Sequence, residues 1–163
     1  VGHNSIVGNH CIFANTAQVA GHVEIDDYVV LGGITAVHQH SKIGRFSMLG
    51  GLTASRNDVP PFTMADGSRA KLVGVNVVAL RRHGISRQDR GIIRQVYRML
   101  FFETGTPWKE QLDLVQAEFG HNVYIQELLH FIRHRSKRGL VKSSHQGKGA
   151  TISFNEEEAA ELA

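Results

Sequence analysis

The sequence predicts a left-handed parallel β-helix of hexapeptide repeats, followed by a small α-helical domain. Residues 1–54 divide into nine sixes whose first residue is always large and apolar and whose fifth is small or β-branched. A period of six suits neither an α-helix with 3.6 residues per turn nor a simple alternating strand. It suits a triangular coil with three six-residue sides. After residue 85, apolar residues recur at helical spacing.

The two repeated positions predict the packing inside the β-helix. The large first residues should fill the interior: Val1, Val7, Phe13, Val19, Ile25, Leu31, Val37, Ile43 and Leu49. The fifth residues should occupy the narrow space beside them: Ser5, Cys11, Ala17, Val23, Val29, Thr35, Ser41, Ser47 and Thr53. The second position is mostly Gly or Ala, and we expect these glycines to be corner residues with unusual backbone angles.

The pattern divides the chain into four segments. Residues 1–57 are the last coils of the β-helix, with the amino-terminal coils missing, and Asp58–Pro61 ends the ladder because proline cannot donate to it. Residues 58–84 form a connector between the β-helix and the helical domain. Residues 85–140 form the helical domain, in which Ser86 and Thr106 are expected helix caps. Residues 141–163 lack periodicity and are expected to be a mobile tail.

The 18-residue coil predicts which residues stack above one another. One column contains His3, Gly21 and Gln39, and its neighbours contain Asn4, His22 and His40, and Gly2, Ala20 and His38. A separate column contains Asn15, Gly33 and Gly51, whose two glycines leave a groove. The sequence therefore predicts a histidine-rich corner and, away from it, an open groove.

Composition limits the class of protein. The chain has no run of 18 apolar residues, so no membrane span is predicted. Its single cysteine, Cys11, excludes an internal disulfide framework and a multi-cysteine zinc site. Residues 80–140 contain eleven Lys/Arg and six Asp/Glu, a net charge of +5. Such a surface attracts an acidic partner, although a solvated helix face is the simpler explanation.

Several stretches resemble one enzyme family, the UDP-N-acetylglucosamine O-acyltransferases that catalyse the first step of lipid A synthesis. The resemblance covers about residues 1–141 and is carried by His3–Cys11, Ala20–Asp27, Gly32–Gln39, Asp58–Pro61, Gly74–Leu80 with Arg81 and Arg82, and Arg138–Leu140. It implies transfer of a 3-hydroxyacyl chain from acyl carrier protein to the 3-hydroxyl of UDP-N-acetylglucosamine.

The resemblance also implies site residues. It assigns His3 as the catalytic base, which suits the ordinary titration range of histidine, and the Gly21 N–H as the oxyanion donor. The stacking columns independently place Gly21 one coil above His3. The remaining implied residues are His22, His38 and Gln39 near the sugar and acyl group, Asn76 and Arg82 at the nucleotide, and Gly33 and Gly51 along the acyl groove.

The partners implied by the resemblance are acyl carrier protein, UDP-N-acetylglucosamine and two further copies of the chain in a homotrimer. The phosphopantetheine of the carrier arrives with the co-substrate, so no resident cofactor or metal is expected. The resemblance implies a cytoplasmic enzyme without nucleic acid and without stable membrane insertion.

Two alternatives from other classes remain open at this point. A metal enzyme like the γ-type carbonic anhydrases would use His3, His22 and His38 as zinc ligands. A non-catalytic hexapeptide-repeat scaffold or truncated pseudoenzyme is favoured by the missing coils and by Asn4, which stands where an acidic residue usually accompanies the base.

Overall fold

The computed structural model describes residues 1–144, and the β-helix occupies their first part as three triangular coils. Nine two-residue strands form its sides, β1 (Ile6–Val7), β2 (Ile12–Phe13), β3 (Gln18–Val19), β4 (Glu24–Ile25), β5 (Val30–Leu31), β6 (Ala36–Val37), β7 (Lys42–Ile43), β8 (Met48–Leu49) and β9 (Ala54–Ser55). Each strand of the first two coils, β1 to β6, pairs in parallel with the strand 18 residues later, as Ile6 does with Glu24. The predicted fold class and coil length are confirmed.

The interior follows the two repeated positions. First-position residues from Val19 to Leu49 are at most 5% exposed, and fifth-position residues from Val23 to Thr53 are at most 1% exposed. Several of the narrow positions hold small polar side chains that bond to a nearby carbonyl: Ser47 Oγ, for example, donates to Pro60 O at 2.8 Å. Ser41 Oγ is the exception among the described residues, since it is buried without a partner. Val1, in contrast, is 73% exposed at the open end of the first coil.

The expectation that the second-position glycines adopt unusual backbone angles is wrong. The left-handed φ angles, between 56° and 63°, fall on the fourth residue of each six: Asn4, His10, Thr16, His22, Tyr28, Ile34, His40, Phe46 and Leu52. Glycine is needed at the second position for a different reason. A Cβ on Gly2 or Gly32 would lie only 2.5–2.6 Å from main-chain atoms of the next coil.

A β-hairpin follows the two prolines. Its strands are β10 (Thr63–Asp66) and β11 (Lys71–Val75), which pair antiparallel. Met64 of β10 also pairs in parallel with Met48 of β8, so the expectation that the ladder ends at Asp58–Pro61 is wrong for one of the three sheets, which continues once the chain has passed the two prolines. The connector segment therefore contains sheet as well as loop.

The helical domain consists of α1 (Val77–Arg82), α2 (Arg87–Tyr97) with a π-helical turn (Arg98–Phe102), α3 (Trp108–Phe119) and α4 (Val123–Arg133). Ser86 caps α2 as expected, since its hydroxyl accepts from Asp89 N at 3.0 Å. The expected cap at Thr106 is wrong by one residue: Pro107 is the N-cap of α3, and no side chain caps that helix.

Side-chain contacts join the helical domain to the β-helix. The Arg45 guanidinium forms two hydrogen bonds with Glu127 of α4, at 3.0 and 2.5 Å. This pairing raises the pKa of the Arg45 guanidinium. The hydroxyl of Tyr97 donates to Pro61 O inside the core. These contacts hold the helices against the corner formed by Tyr28 and Phe46.

The packed main chain extends past the predicted start of the tail at residue 141. Val141 and Ser143 are 2% and 7% exposed, and Ser143 bridges to Leu72 of β11. Residues 141–144 are therefore packed against the hairpin, because their main chain pairs with it. The rest of the predicted tail, residues 145–163, lies outside the described residues.

Candidate active site

The histidines of the predicted site stack at one corner of the β-helix, which we call the histidine corner (His3, Asn4, Gly21, His22, His38, Gln39 and His40). The His22 N–H donates to His3 O at 2.9 Å, and the His40 N–H donates to Gly21 O at 3.3 Å. The rings of His22 and His40 stack with centroids 4.9 Å apart, and the His3 ring meets His22 edge-on at the same distance. The predicted columns are thus present in the structure.

His3 and Gly21 are the most closely fitted pair at this corner. The His3 side chain is exposed, and its ring packs against the coil above. A Cβ built on Gly21 would lie 2.8 Å from His3 Nε2 and 3.0–3.1 Å from two ring carbons. Only glycine lets the imidazole occupy this place, since real Cβ atoms do not approach so closely.

The Gly21 amide is available to a ligand. Within residues 1–144 its N–H donates to no protein atom. Most third residues of the repeat share this property, because the chain turns there and the N–H leaves the ladder. Gly21 differs because the His3 imidazole occupies the space of its absent side chain, which brings a possible base and an unbonded N–H donor onto the same residue.

One coil higher, His38 and Gln39 complete the corner. His38 is half-buried, and its Nδ1 lies 3.2 Å from Gln39 O. The same carbonyl accepts from Arg138 Nε at 3.2 Å. Arg138 belongs to one of the stretches that resemble the family, but the sequence does not place it in the site, because its contact with Gln39 spans 99 positions and no short-range pattern indicates it.

The glycine column lies at another corner. The Cβ of a residue at Gly33 would be 3.6 Å from Asn15 O, and one at Gly51 would be 3.5 Å from Gly33 O, both ordinary contacts. The apolar residues that follow these glycines, Ile34 and Leu52, are 62% and 67% exposed. The column is therefore open and bordered by apolar side chains, as a groove for an alkyl chain requires.

The two predicted nucleotide contacts lie on α1, away from both corners. Asn76 is 6% exposed; its Nδ2 donates to Phe46 O at 2.9 Å, and its Oδ1 accepts from Ala79 N at 3.2 Å. These bonds fix the start of α1. Arg82 is exposed in the last turn. The next residue, His83, packs on Tyr28 with ring centroids 4.5 Å apart.

A single copy of the chain thus keeps the predicted residues in three places. His3, Gly21, His22, His38 and Gln39 meet at the histidine corner. Gly33 and Gly51 lie at a second corner of the β-helix, and Asn76 and Arg82 lie beside its third corner. One six-residue side separates each corner from the next, so no single pocket of this copy includes all three sets.

The described residues contain no donor set for the metal-enzyme alternative. Within residues 1–144, no three His, Cys, Asp or Glu side chains are arranged to hold a metal ion. The rings of His3 and His22 are packed edge to face, and His38 directs Nδ1 at a carbonyl. A zinc site instead needs three nitrogens that converge at about 2 Å.

Comparison with known proteins gives the same family over the whole described region. Residues 58–141 match the family model described as UDP N-acetylglucosamine O-acyltransferase, domain 2. An acyl-(acyl-carrier-protein)–UDP-N-acetylglucosamine O-acyltransferase from Nautilia profundicola is 47% identical over 140 residues, covering 86% of this chain and 53% of the relative. The protein of the same name from Aliarcobacter butzleri is 45% identical over 141 residues, with the same coverage.

Solved structures agree with these sequence matches. The UDP-N-acetylglucosamine acyltransferase of Campylobacter jejuni has a TM-score of 0.79 at 32% identity, covering 87% of this chain and 54% of that one. The Arabidopsis enzyme has a TM-score of 0.83 at 33% identity, covering 87% and 52%. The chain spans about half the length of the curated relatives it matches.

Proposed function

This chain belongs to the UDP-N-acetylglucosamine O-acyltransferase family, and we propose that it forms the catalytic part of an enzyme that moves a 3-hydroxyacyl group from acyl carrier protein to the 3-hydroxyl of UDP-N-acetylglucosamine. This is the first step of lipid A synthesis. The observation that carries the proposal is the contact of the His3 imidazole with Gly21, whose N–H has no protein partner within residues 1–144.

The first half of the reaction uses His3 as the general base. Its imidazole accepts the proton of the sugar 3-hydroxyl while that oxygen attacks the thioester carbonyl carbon. A positioned general base contributes roughly 10²–10⁴-fold to such a step. Histidine is suited to this role because the ordinary side chain changes protonation near neutral pH.

The developing negative charge falls on the former carbonyl oxygen. The Gly21 N–H is the donor for that oxyanion, and removing one such donor typically costs 10²–10³-fold in rate. When the tetrahedral intermediate collapses, the carbon–sulfur bond breaks and the thiolate of phosphopantetheine leaves. The His3 imidazolium returns its proton to that sulfur, which restores the neutral base and leaves the acylated sugar and a free carrier thiol.

The other assigned residues hold the two substrates. His22, His38 and Gln39 surround the reacting groups, and the open column of Gly33 and Gly51 receives the alkyl chain. Arg82 suits the nucleotide phosphates because a guanidinium can bind two oxygens at once. Asn76 has both polar groups engaged by the protein, which supports a role in setting the position of α1.

A homotrimer completes the proposed site. The residues assigned to nucleotide, reacting groups and alkyl chain lie against three different corners of one copy, while one acylated nucleotide must touch all three sets. Neighbouring copies packed side by side bring α1 of one copy to the histidine corner of the next. A monodisperse monomer in light scattering of the complete gene product contradicts this assembly.

The proposed partner and location follow from the chemistry of the substrates. Residues 80–140 have a net charge of +5, which suits an acidic carrier protein that delivers the thioester. Among residues 1–144, no helix is long and apolar enough to cross a membrane. The nucleotide sugar and the carrier are both water-soluble, which supports a cytoplasmic site of action.

The direct test is an assay of the complete gene product with UDP-N-acetylglucosamine and a panel of 3-hydroxyacyl carrier proteins. The proposal predicts an O-acylated nucleotide sugar and release of a carrier thiol in equal amounts. Absence of product with every donor, from a protein that binds the nucleotide, favours the non-catalytic scaffold instead.

A further inference from the structure

The chain returns from the helical domain to the β-helix through a segment that Asp58 clamps. The Asp58 carboxylate is buried and accepts from Ser136 N at 2.5 Å and from Ser136 Oγ at 2.7 Å. Its main chain donates to Gly139 O at 2.8 Å and accepts from Val141 N at 2.9 Å. Gly139 has a φ of 69°, a conformation that favours glycine. Residues 136–141 are therefore fixed at both ends.

This clamp places Arg138 beside the histidine corner. The Arg138 N–H donates to Ser136 Oγ at 3.0 Å, and its carbonyl accepts from Asn57 Nδ2 at 2.6 Å. With the main chain held on both sides, the half-buried side chain donates from Nε to Gln39 O at 3.2 Å. An arginine from the end of the helical domain thus contacts the coil directly above Gly21.

The Gln39 carbonyl also determines the protonation pattern of His38. It lies 3.2 Å from His38 Nδ1, and a carbonyl oxygen can only accept. The hydrogen of the neutral His38 ring must then be on Nδ1, which leaves Nε2 as an acceptor. Arg138 and His38 therefore share one acceptor oxygen.

We propose that Arg138 is a positioning residue of the active site, which holds the Gln39 carbonyl so that His38 keeps its Nδ1–H tautomer and offers Nε2 to a substrate hydroxyl or amide hydrogen. The inference deepens the proposed function and rests on it. His38 lies on the coil above the one against which the His3 ring packs, so an acceptor there reaches the same substrate as the base. Arg138 acts only through Gln39 and His38.

The first experiment reads the tautomer and does not depend on turnover. In nitrogen-15 spectra of the complete gene product, with His38 assigned by His38→Ala, the wild type should show a protonated Nδ1 and an unprotonated Nε2. Arg138→Ala should give a mixture of both tautomers. Arg138→Lys keeps the charge but lacks the Nε–H, so it should also give a mixture of tautomers. This variant replaces Arg138→Ala in the test if Arg138→Ala does not fold. An unchanged Nδ1–H signal in folded variants overturns the proposal.

The second experiment is a double-mutant cycle on kcat/KM. Arg138→Ala should lower kcat/KM by about 10- to 100-fold, the scale expected when a substrate contact is misplaced by a fraction of an ångström to an ångström. In a His38→Ala background the same change should have almost no further effect. Equal losses in both backgrounds, or a loss matched by a lower melting temperature, show a merely structural role and overturn the proposal.

A matched control separates this effect from a general loss of positive charge. Arg135→Ala removes a guanidinium only three positions away, one that donates to Ile132 O at 2.8 Å and does not contact the histidine corner. Its His38 spectrum should match that of the wild type, and any loss of kcat/KM from the weaker basic surface should be equally large in a His38→Ala background. If the wild type itself has no acyltransferase activity, the proposed function fails, while the nitrogen-15 spectra still decide whether Arg138 fixes His38.

Discussion

The imidazole of His3 lies so close to Gly21 that a methyl group on Gly21 would come within 2.8 Å of His3 Nε2. The two residues are 18 positions apart and belong to successive coils, which stack about 4.8 Å apart. The β-helix therefore positions the ring of one coil against the main chain of the next. This contact explains why residue 21 must be glycine, and it also brings together the two residues that the proposed reaction uses.

Replacing Gly21 with alanine should push the His3 ring away from the Gly21 amide. The account predicts a fall in kcat on the order of 10²–10³, because the base and the oxyanion donor no longer meet the same substrate atoms. Nucleotide affinity should change little, since the assigned nucleotide residues lie on α1. Steady-state kinetics and a nucleotide-binding titration measure the two effects separately.

Gly91→Ala is the matched control for that substitution. Gly91 lies in α2, and a Cβ there would meet nothing within 4 Å. The free energy of unfolding should rise by about 0.5–1 kcal/mol, because glycine is unfavourable inside a helix. The rate should be unchanged. A similar loss of kcat in both variants would show that the effect of Gly21→Ala is not specific to His3.

Gly51→Met should shorten the preferred acyl chain. The Cβ has an ordinary 3.5 Å contact with Gly33 O, so the variant can fold, and the longer side chain extends into the proposed groove. Each methylene that the donor can no longer bury costs about 0.8 kcal/mol. Competition between 3-hydroxyacyl carrier proteins of different lengths measures the shift. An unchanged chain-length profile places the groove elsewhere.

Removing the carboxylate of Asp58 should loosen the segment that follows α4. Asp58→Ala leaves Lys42 N, Ser136 N and Ser136 Oγ without the acceptor that they share. Each buried donor left without an acceptor costs about 1–3 kcal/mol. Because the segment can relax partially, we expect the free energy of unfolding to fall by about 2–4 kcal/mol in total. Urea unfolding measures this loss. Asp113→Ala, at an exposed position of α3, should stay within about 0.5 kcal/mol of the wild type.

The sequence predicts the β-helix well because its period of six is a packing requirement that each coil repeats. The column that contains His3 and Gly21 follows from arithmetic on that period. The backbone angles could not be derived in this way: left-handed φ falls on bulky residues such as Ile34 and Phe46, because the coil geometry overrides their local preference. Glycine at the second position reflects close approach between coils instead.

Contacts between distant segments account for most of what the sequence did not predict. Arg138 meets Gln39 only because Asp58 holds Ser136, and no periodic pattern connects these residues. The buried, fully bonded state of Asn76 likewise depends on Phe46 O, which is 30 positions away. Residues of this kind can be located only after the helical domain is packed against the β-helix.

His3 is the proposed base of the acyl transfer, and single-turnover and steady-state kinetics of His3→Ala in the complete gene product measure its contribution. The account predicts a fall in kcat on the order of 10²–10⁴, with nucleotide affinity nearly unchanged. His22→Ala should lose less, because a neighbour that positions the substrate is not the proton acceptor. Near-normal turnover of His3→Ala would contradict the account.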